Sequence, residues 1–341
     1  MKKPWNLTLG LSALLLVLSA WWVGPTAPGW KQQTVREVLA ELGEPLPEHY
    51  LAPDSAQVAL GRALVYEGRV ALPEGGYSPY ISKYFMCTSC HNNEREDPVL
   101  SIADPEARLP YVVEQGIPFL QGSTFWGIVN RESWYNDDYY LKYGENVRAA
   151  NHDLRKAIQL CAIECSQGRP LVQWEEDAIL AFYWSLELDM DDLTLPTEVE
   201  EAITQAVAAG QPNPELVATL KSYYATTSPA TFGHIPEDKA AGYGLQGSAE
   251  EGKLLYENSC RHCHKEGGVS DFLIDYATHT FRYLERNMEK DNDFSLYQIV
   301  RKGTYASPGA RPYMPHYPEE KMSDRQIESL RLYIEQQAKG N

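Results

Sequence analysis

Two C-x-x-C-H sequences constrain this chain more than any other feature: Cys87-Thr88-Ser89-Cys90-His91 and Cys260-Arg261-His262-Cys263-His264. One such match is expected by chance only about 0.002 times in a chain of this composition, so two are not accidental. The spacing has a chemical reason. Two thiols three residues apart reach the two vinyl groups of one haem and form thioethers. The next residue, a histidine, is then held beneath the iron. A redox C-x-x-C needs no following histidine, and a structural zinc site needs a second ligand pair near each motif. The expected cofactors are therefore two covalently bound haem c groups. Cys87, Cys90, Cys260 and Cys263 would attach them, with His91 and His264 as proximal iron ligands.

Covalent attachment of this kind takes place outside the cytoplasm, and the N-terminus agrees. Lys2 and Lys3 precede an uncharged stretch, Leu7 to Val23, rich in leucine. That is the layout of an export segment. No small-x-small cleavage site follows, and Trp21-Trp22 suits an aromatic belt at a membrane interface. Residues 1–30 are thus expected to be an uncleaved anchor, and 31–53 a linker. The rest would lie on the periplasmic side of a bacterial inner membrane, or be released as an exported soluble protein if the segment is cleaved. The formal charge is −17 over 341 residues. This excludes nucleic acid as a partner, since phosphate binding needs clustered positive charge. It fits steering toward a redox partner with a basic docking face, such as a cytochrome, a cupredoxin or a terminal oxidase.

The two motifs sit in a repeat. Gly61-Arg62-Ala63-Leu64-Val65-Tyr66-Glu67 precedes the first, and Gly252-Lys253-Leu254-Leu255-Tyr256-Glu257 the second. Ser248 with Glu251 forms an S-x-x-E capping signal, and Asp54 with Gln57 a weaker one. Each repeat ends in an amphipathic helix, carrying Ile179, Phe182, Tyr183 and Leu186 in one and Ile327, Leu330 and Ile334 in the other. The expected fold is all-α: two cytochrome c-like domains, at 54–195 and 248–341, joined by a linker at 196–247 that starts with two helical pieces, from Leu195 to about Gly210 and from Asn213 to near Tyr224. With Cys260-x-x-Cys263-His264, the Tyr313-Met314-Pro315 loop and the final helix, residues 248–337 resemble a class I cytochrome c. Residues 54–190, through Ile158-Gln159-Leu160-Cys161 and Gln167-Gly168-Arg169-Pro170, resemble the catalytic domain of dihaem thiosulfate dehydrogenases. More distantly they resemble the A subunit of the Sox sulfur-oxidising cytochromes. That resemblance implies that Cys161 is the distal iron ligand of the first haem.

Read from the residues alone, the distal ligands stay open. For the second haem, Met314 is favoured, because Pro315 stiffens its loop; Met288, Met322, His279 and His316 are the other candidates. For the first, the candidates are Cys161, Cys165, His152 and Met190, or an open site. Cys161 and Cys165 lie four apart on an expected helix and face one way, where a disulfide would close almost no loop. Thiolate ligation lowers a haem potential and His/Met ligation raises it, so electrons are expected to enter at the first haem and leave from the second.

A long stretch between His91 and Cys161 holds Phe119, Phe125, Trp126, Trp134, Tyr135, Tyr139, Tyr140 and Tyr143. It is expected to wall a haem pocket. Arg131, Arg148 and Arg155 are expected to pair with haem propionates, or to hold a small oxyanion. Two functions compete. One is an anchored electron carrier. The other is an enzyme oxidising a small sulfur oxyanion such as thiosulfate at the first haem, with Cys161 as its catalytic ligand. Against the second, Ala157 stands where a basic residue would hold the anion.

Overall fold

The structure is a computed structural model, and residues 29–288, 290, 294–304 and 313–340 are described. The expected anchor lies almost wholly outside them. Among the described residues no helix is long and apolar enough to cross a membrane. Helices dominate, and among the described residues strand-like pairing is limited to the isolated bridges Thr34–Asp189 and Ala71–Tyr77.

In chain order the helices are α1 (Val35–Glu41), α2 (Ser55–Glu67), α3 (Pro105–Gln115), α4 (Asp137–Tyr143), α5 (Asn146–Asn151), α6 (Leu154–Leu160) and α7 (Gln173–Trp184). There follow α8 (Thr197–Ala209), α9 (Pro214–Lys221), α10 (Ala249–Leu255), α11 (Arg261–Cys263), α12 (Thr278–Met288), α13 (Leu296–Lys302) and α14 (Asp324–Lys339). Their starts follow local chemistry. Asp54 caps α2 through Ala56 N, and Ser323 with Gln326 closes a reciprocal box on α14. Ser248 caps α10 through Glu251 N, but the Glu251 carboxylate reaches across to Ser329 and Arg325 instead of closing a box.

The sequence repeat becomes a repeated helix crossing. α2 packs on α7, and α10 on α14. At the first crossing Gly61 lies so close that a Cβ there would sit 1.9 Å from Ala178 O and 2.8 Å from Phe182 Cβ. At the second, a Cβ on Gly252 would sit 1.9 Å from Ser329 O and 2.8 Å from Tyr333 Cβ. Both crossings thus place a glycine against the backbone of one residue and the aromatic ring-bearer four positions later. Only glycine allows that approach.

The hydrophobic interior forms three clusters. The first gathers α2, α6 and α7 around Leu64, Ile158, Ile179 and Trp184. The second gathers α10, α12, α13 and α14 around Leu255, Phe281, Tyr297 and Ile327. The third was not foreseen. Val35, Val38 and Leu42 of the expected linker 31–53 pack with Ile203, Leu216 and Leu220 of the expected linker 196–247. Both segments carry helices whose apolar faces bury each other, which a linker would not do. A second departure concerns α3. Its Leu109 and Val112, with Phe119, belong to the second cluster, so part of the stretch 54–195 builds the C-terminal core. The segment after α9 bonds to both units, with Thr226 O accepting from Glu132 N and Thr231 O from Glu319 N.

Candidate haem centres

Cys87 opens a 3-10 turn, Cys87–Ser89, held by Ser89 Oγ accepting from Met86 N. His91 N then donates to Cys87 O, which brings both thiols and the imidazole to one side. The second motif follows a π-helical turn, Tyr256–Cys260, and continues into α11. His264 N donates to Cys260 O. Each motif lines a cavity. The first is about 1460 Å³, its open mouth included, and Cys87, Cys90 and His91 lie on its wall. The second, about 540 Å³, is lined by Cys260, Cys263, His264 and Met314.

The two histidines are set up alike. His91 Nδ1 lies 2.6 Å from Ser123 O, and His264 Nδ1 lies 2.7 Å from Phe272 O. A carbonyl only accepts, so each Nδ1 carries the proton and each Nε2 keeps its lone pair. This is the usual arrangement of a metal-binding imidazole. Burial pulls both histidines down, His91 to about 4, so the rings are neutral. Phe125 stacks on His91 at 4.4 Å and on Tyr183 at 4.5 Å. Gly122 lets its loop close over this ring, since a Cβ there would lie 2.6 Å from His91 Nδ1.

The motif thiols are unlike reactive redox cysteines. Burial pushes Cys87 and Cys263 up to about 11 and Cys260 up to about 12, and raises Cys90 as well. A redox C-x-x-C needs the opposite shift. Gln121 Nε2 and His316 Nε2 are buried on the wall of the first cavity without a partner. A porphyrin carrying carboxylates fits such a wall: apolar rings and thiols, with orphaned polar atoms at its margins.

Of the candidates for the first distal position, Cys161 and Cys165 line the cavity and His152 and Met190 do not. His152 is exposed and bonds Glu132 O, and Met190 is buried in the third cluster. Both cysteines are free thiols on a π-helical turn, Cys161–Cys165. π-turns inside helices often mark functional sites. Cys165 is drawn down to about 7 by its hydrogen bonds, chiefly that with the Cys161 thiol and also those with the Tyr143 and Tyr135 hydroxyls. Those hydroxyls lie 3.7 Å from its sulfur. Cys161, as the donor, is raised.

For the second distal position, Met314 lines the cavity of His264. Its loop is fixed by Thr304, whose N donates to Met314 O and whose Oγ1 accepts from Met314 N. Met288 and Met322 are buried in the second cluster as packing residues, and His279 is exposed. His316 faces the first cavity, not the second, with Lys142 Nζ 2.9 Å from its Nδ1.

The aromatic stretch divides. Phe125, Trp134, Tyr135, Tyr139 and Tyr143 wall the first cavity, while Phe119 serves the C-terminal core. Of the three arginines, Arg131 alone lines the cavity. Arg155 pairs with Glu176 and Asp177, and Arg148 with Glu145. Sequence reasoning missed Glu96 and Lys321, a buried ion pair joining the loop after the first motif to the C-terminal unit. Burial would raise Glu96, but Lys321 and Arg108 outweigh it and hold the carboxyl at about 2.

The two centres touch. Phe85, Cys90, Gln121, Tyr313 and Pro315 line both cavities, and Cys263 Sγ lies 3.9 Å from Ser89 O.

No curated protein and no solved structure matches the chain. Residues 247–334 match the sequence model of the family described as cytochrome C oxidase, cbb3-type, subunit III. The C-terminal unit is thus a c-type cytochrome domain, which implies covalently bound haem c and points to electron transfer.

Proposed function

We propose that this protein is a dihaem cytochrome c that takes electrons at the first haem and passes them through the second to a redox partner. One observation carries the reading: two C-x-x-C-H motifs, 173 positions apart, abut and share five cavity-lining residues. Electron tunnelling falls off exponentially with distance, so two haems attached at touching motifs would exchange electrons far faster than either would with a distant partner. Each haem supplies a one-electron ferric/ferrous couple, and the chain sets the order of the two couples. Cys161 or Cys165 near the first would lower its potential, and His264 with Met314 would raise the second. The N-terminal apolar segment would hold the protein on the periplasmic side of the membrane. The negative net charge favours a partner with a basic docking face.

The test is a redox titration of the purified protein after intact-mass analysis. The mass should exceed that of the chain by two haems, and the titration should show two waves. Substituting Met314 should move the higher wave, and substituting Cys161 the lower. Reversed assignments would overturn the direction of flow.

The paired thiols support a second reading, oxidation of a small sulfur oxyanion such as thiosulfate at the first haem. Cys161 and Cys165, with the hydroxyls of Tyr135 and Tyr143, form a polar spot in an otherwise apolar cavity. Rapid reduction of the oxidised protein by thiosulfate would favour this enzyme. Inertness to thiosulfate, with fast reduction by a partner cytochrome, would favour the carrier.

A further inference from the structure

Neighbouring residues of the Tyr313-Met314-Pro315 loop face different haem centres. Met314 lines the second cavity and not the first, His316 lines the first and not the second, and Tyr313 stands on the wall of both. Tyr313 is buried, and its hydroxyl donates to Cys165 O at 2.7 Å. Cys165 ends the π-helical turn Cys161–Cys165 of the first unit. A side chain of the C-terminal unit therefore holds the turn that carries both cavity thiols of the first.

The first unit has no substitute for this bond. Carbonyls at the end of a helical segment lack partners within it and must find them elsewhere. Cys161 O accepts from Ser166 N, and Ala162 O from Gly168 N and Ser166 Oγ. Ser166 O accepts from Ser82 Oγ. The N–H groups placed to reach Cys165 O along the chain are those of Gly168 and Arg169. They are committed to Ala162 O and Ile81 O, both at 2.9 Å. The next residue, Pro170, has no N–H to give. Tyr313 thus supplies, from the other unit, the cap that the turn cannot find at home. The hydroxyl is itself held in place. Phe85 packs edge-on against its ring at 5.6 Å, and Thr304 clasps the following residue, Met314, at both its N and its O.

We propose that Tyr313 is a positioning residue for the first haem. By capping Cys165 O it keeps the turn Cys161–Cys165 seated on the first cavity, while the next residue, Met314, serves the second haem. The distal side of the first centre is therefore complete only when the C-terminal unit is in place. This rests on the reading that the first motif carries a haem whose distal ligand comes from that turn. Tyr313 acts through the Cys165 carbonyl and not on the iron.

The test is the binding of imidazole, an external haem ligand, to the oxidised holoprotein, followed at each haem by low-temperature paramagnetic resonance. Imidazole reaches an iron only when the protein ligand has moved away, so its apparent affinity tracks the fraction of molecules with that ligand displaced. Tyr313→Phe keeps the ring and removes the hydroxyl alone. Leaving a buried carbonyl without its partner should raise the displaced fraction at the first haem about tenfold. Imidazole should then bind the first haem about tenfold more tightly and the second as before. Met314→Ala leaves the cap intact, so there imidazole should gain at the second haem and not at the first. Intact mass comes first. A single haem, on Cys260 and Cys263, would overturn both the haem reading and this proposal. A first-haem signal unchanged in both Cys161→Ser and Cys165→Ser would overturn the ligand reading and this proposal with it. With two haems and a ligand on the turn, unchanged binding at the first haem in Tyr313→Phe, or a gain confined to the second, would overturn this proposal alone. Should Tyr313→Phe fail to fold, Met314→Ala still decides, because a gain at the first haem in that variant would show that the hydroxyl is not what holds the turn.

Discussion

Replacing Gly252 by alanine is the sharpest probe of the crossing that builds the C-terminal domain. The added methyl would lie 1.9 Å from Ser329 O, 2.6 Å from its carbonyl carbon and 2.8 Å from Tyr333 Cβ. Ordinary contact begins at 3.4 Å. α10 must therefore retreat from α14 by about 1.5 Å, and the obstacle is backbone, which cannot rotate away. Tyr333 sits 5.5 Å from the Tyr256 ring and 5.6 Å from Phe281, so the retreat also loosens that aromatic group. Overpacking of this kind costs ~1–3 kcal/mol, and the upper end applies where two helices must part. Alanine gains about 1 kcal/mol over glycine in helix propensity. The net loss is about 2 kcal/mol. With a urea dependence of ~1–3 kcal/mol per molar, the unfolding midpoint should fall by about 1 M. The assay is urea unfolding of the holoprotein, followed by the haem absorption and by far-ultraviolet circular dichroism. An unchanged or raised midpoint would mean that propensity alone acts and that the helices do not cross at Gly252. Gly61→Ala, facing Ala178 O at the same distance, should show a loss of the same size.

Three further outcomes are expected. Met314→Ala should lower the potential of the second haem and leave the first unchanged, read by redox titration, because a His/Met pair holds a haem potential high. Low-temperature paramagnetic resonance should show a changed first-haem signal in Cys161→Ser and an unchanged one in Cys165→Ser; the reverse pattern would assign the ligand to Cys165. Glu96 is held at about 2 in the folded protein against an ordinary value of 4.5. The unfolded chain binds the extra proton between these values, so the stability Glu96 confers is present above about pH 4.5 and is lost as the pH falls toward 2. Acid unfolding of Glu96→Gln should accordingly be less steep across that window, measured by circular dichroism.

Some of the architecture was legible because it is written locally. The glycine-led helices before each motif, the amphipathic helices after them and the Ser323–Gln326 box are patterns over a few turns, and each has its counterpart in the structure. The two helical pieces at the start of 196–247 were legible, but that they bury their apolar faces against 31–53 was not, because short helices separated by proline and glycine look like linkers until their partners are known. Val38 has a reason to be apolar only once the third cluster is assembled around it. α3 misled for the same reason, since Leu109 and Val112, with Phe119, belong to a core whose other buried residues span 255–338.

By itself the sequence carries the case for haem attachment at the two motifs. Two thiols and a histidine at fixed spacing need only neighbouring residues to present them, and each motif is complete within five positions. Tertiary structure alone decided what surrounds them. It brought Ser123 and Phe272 carbonyls to the two imidazoles, set His316 in the wall of the other unit's cavity, and placed Arg131 on the wall of the first. It also laid Cys263 against Ser89, 174 positions away. Such contacts depend on how helix faces bury one another across the whole chain, and no short window of sequence carries that information.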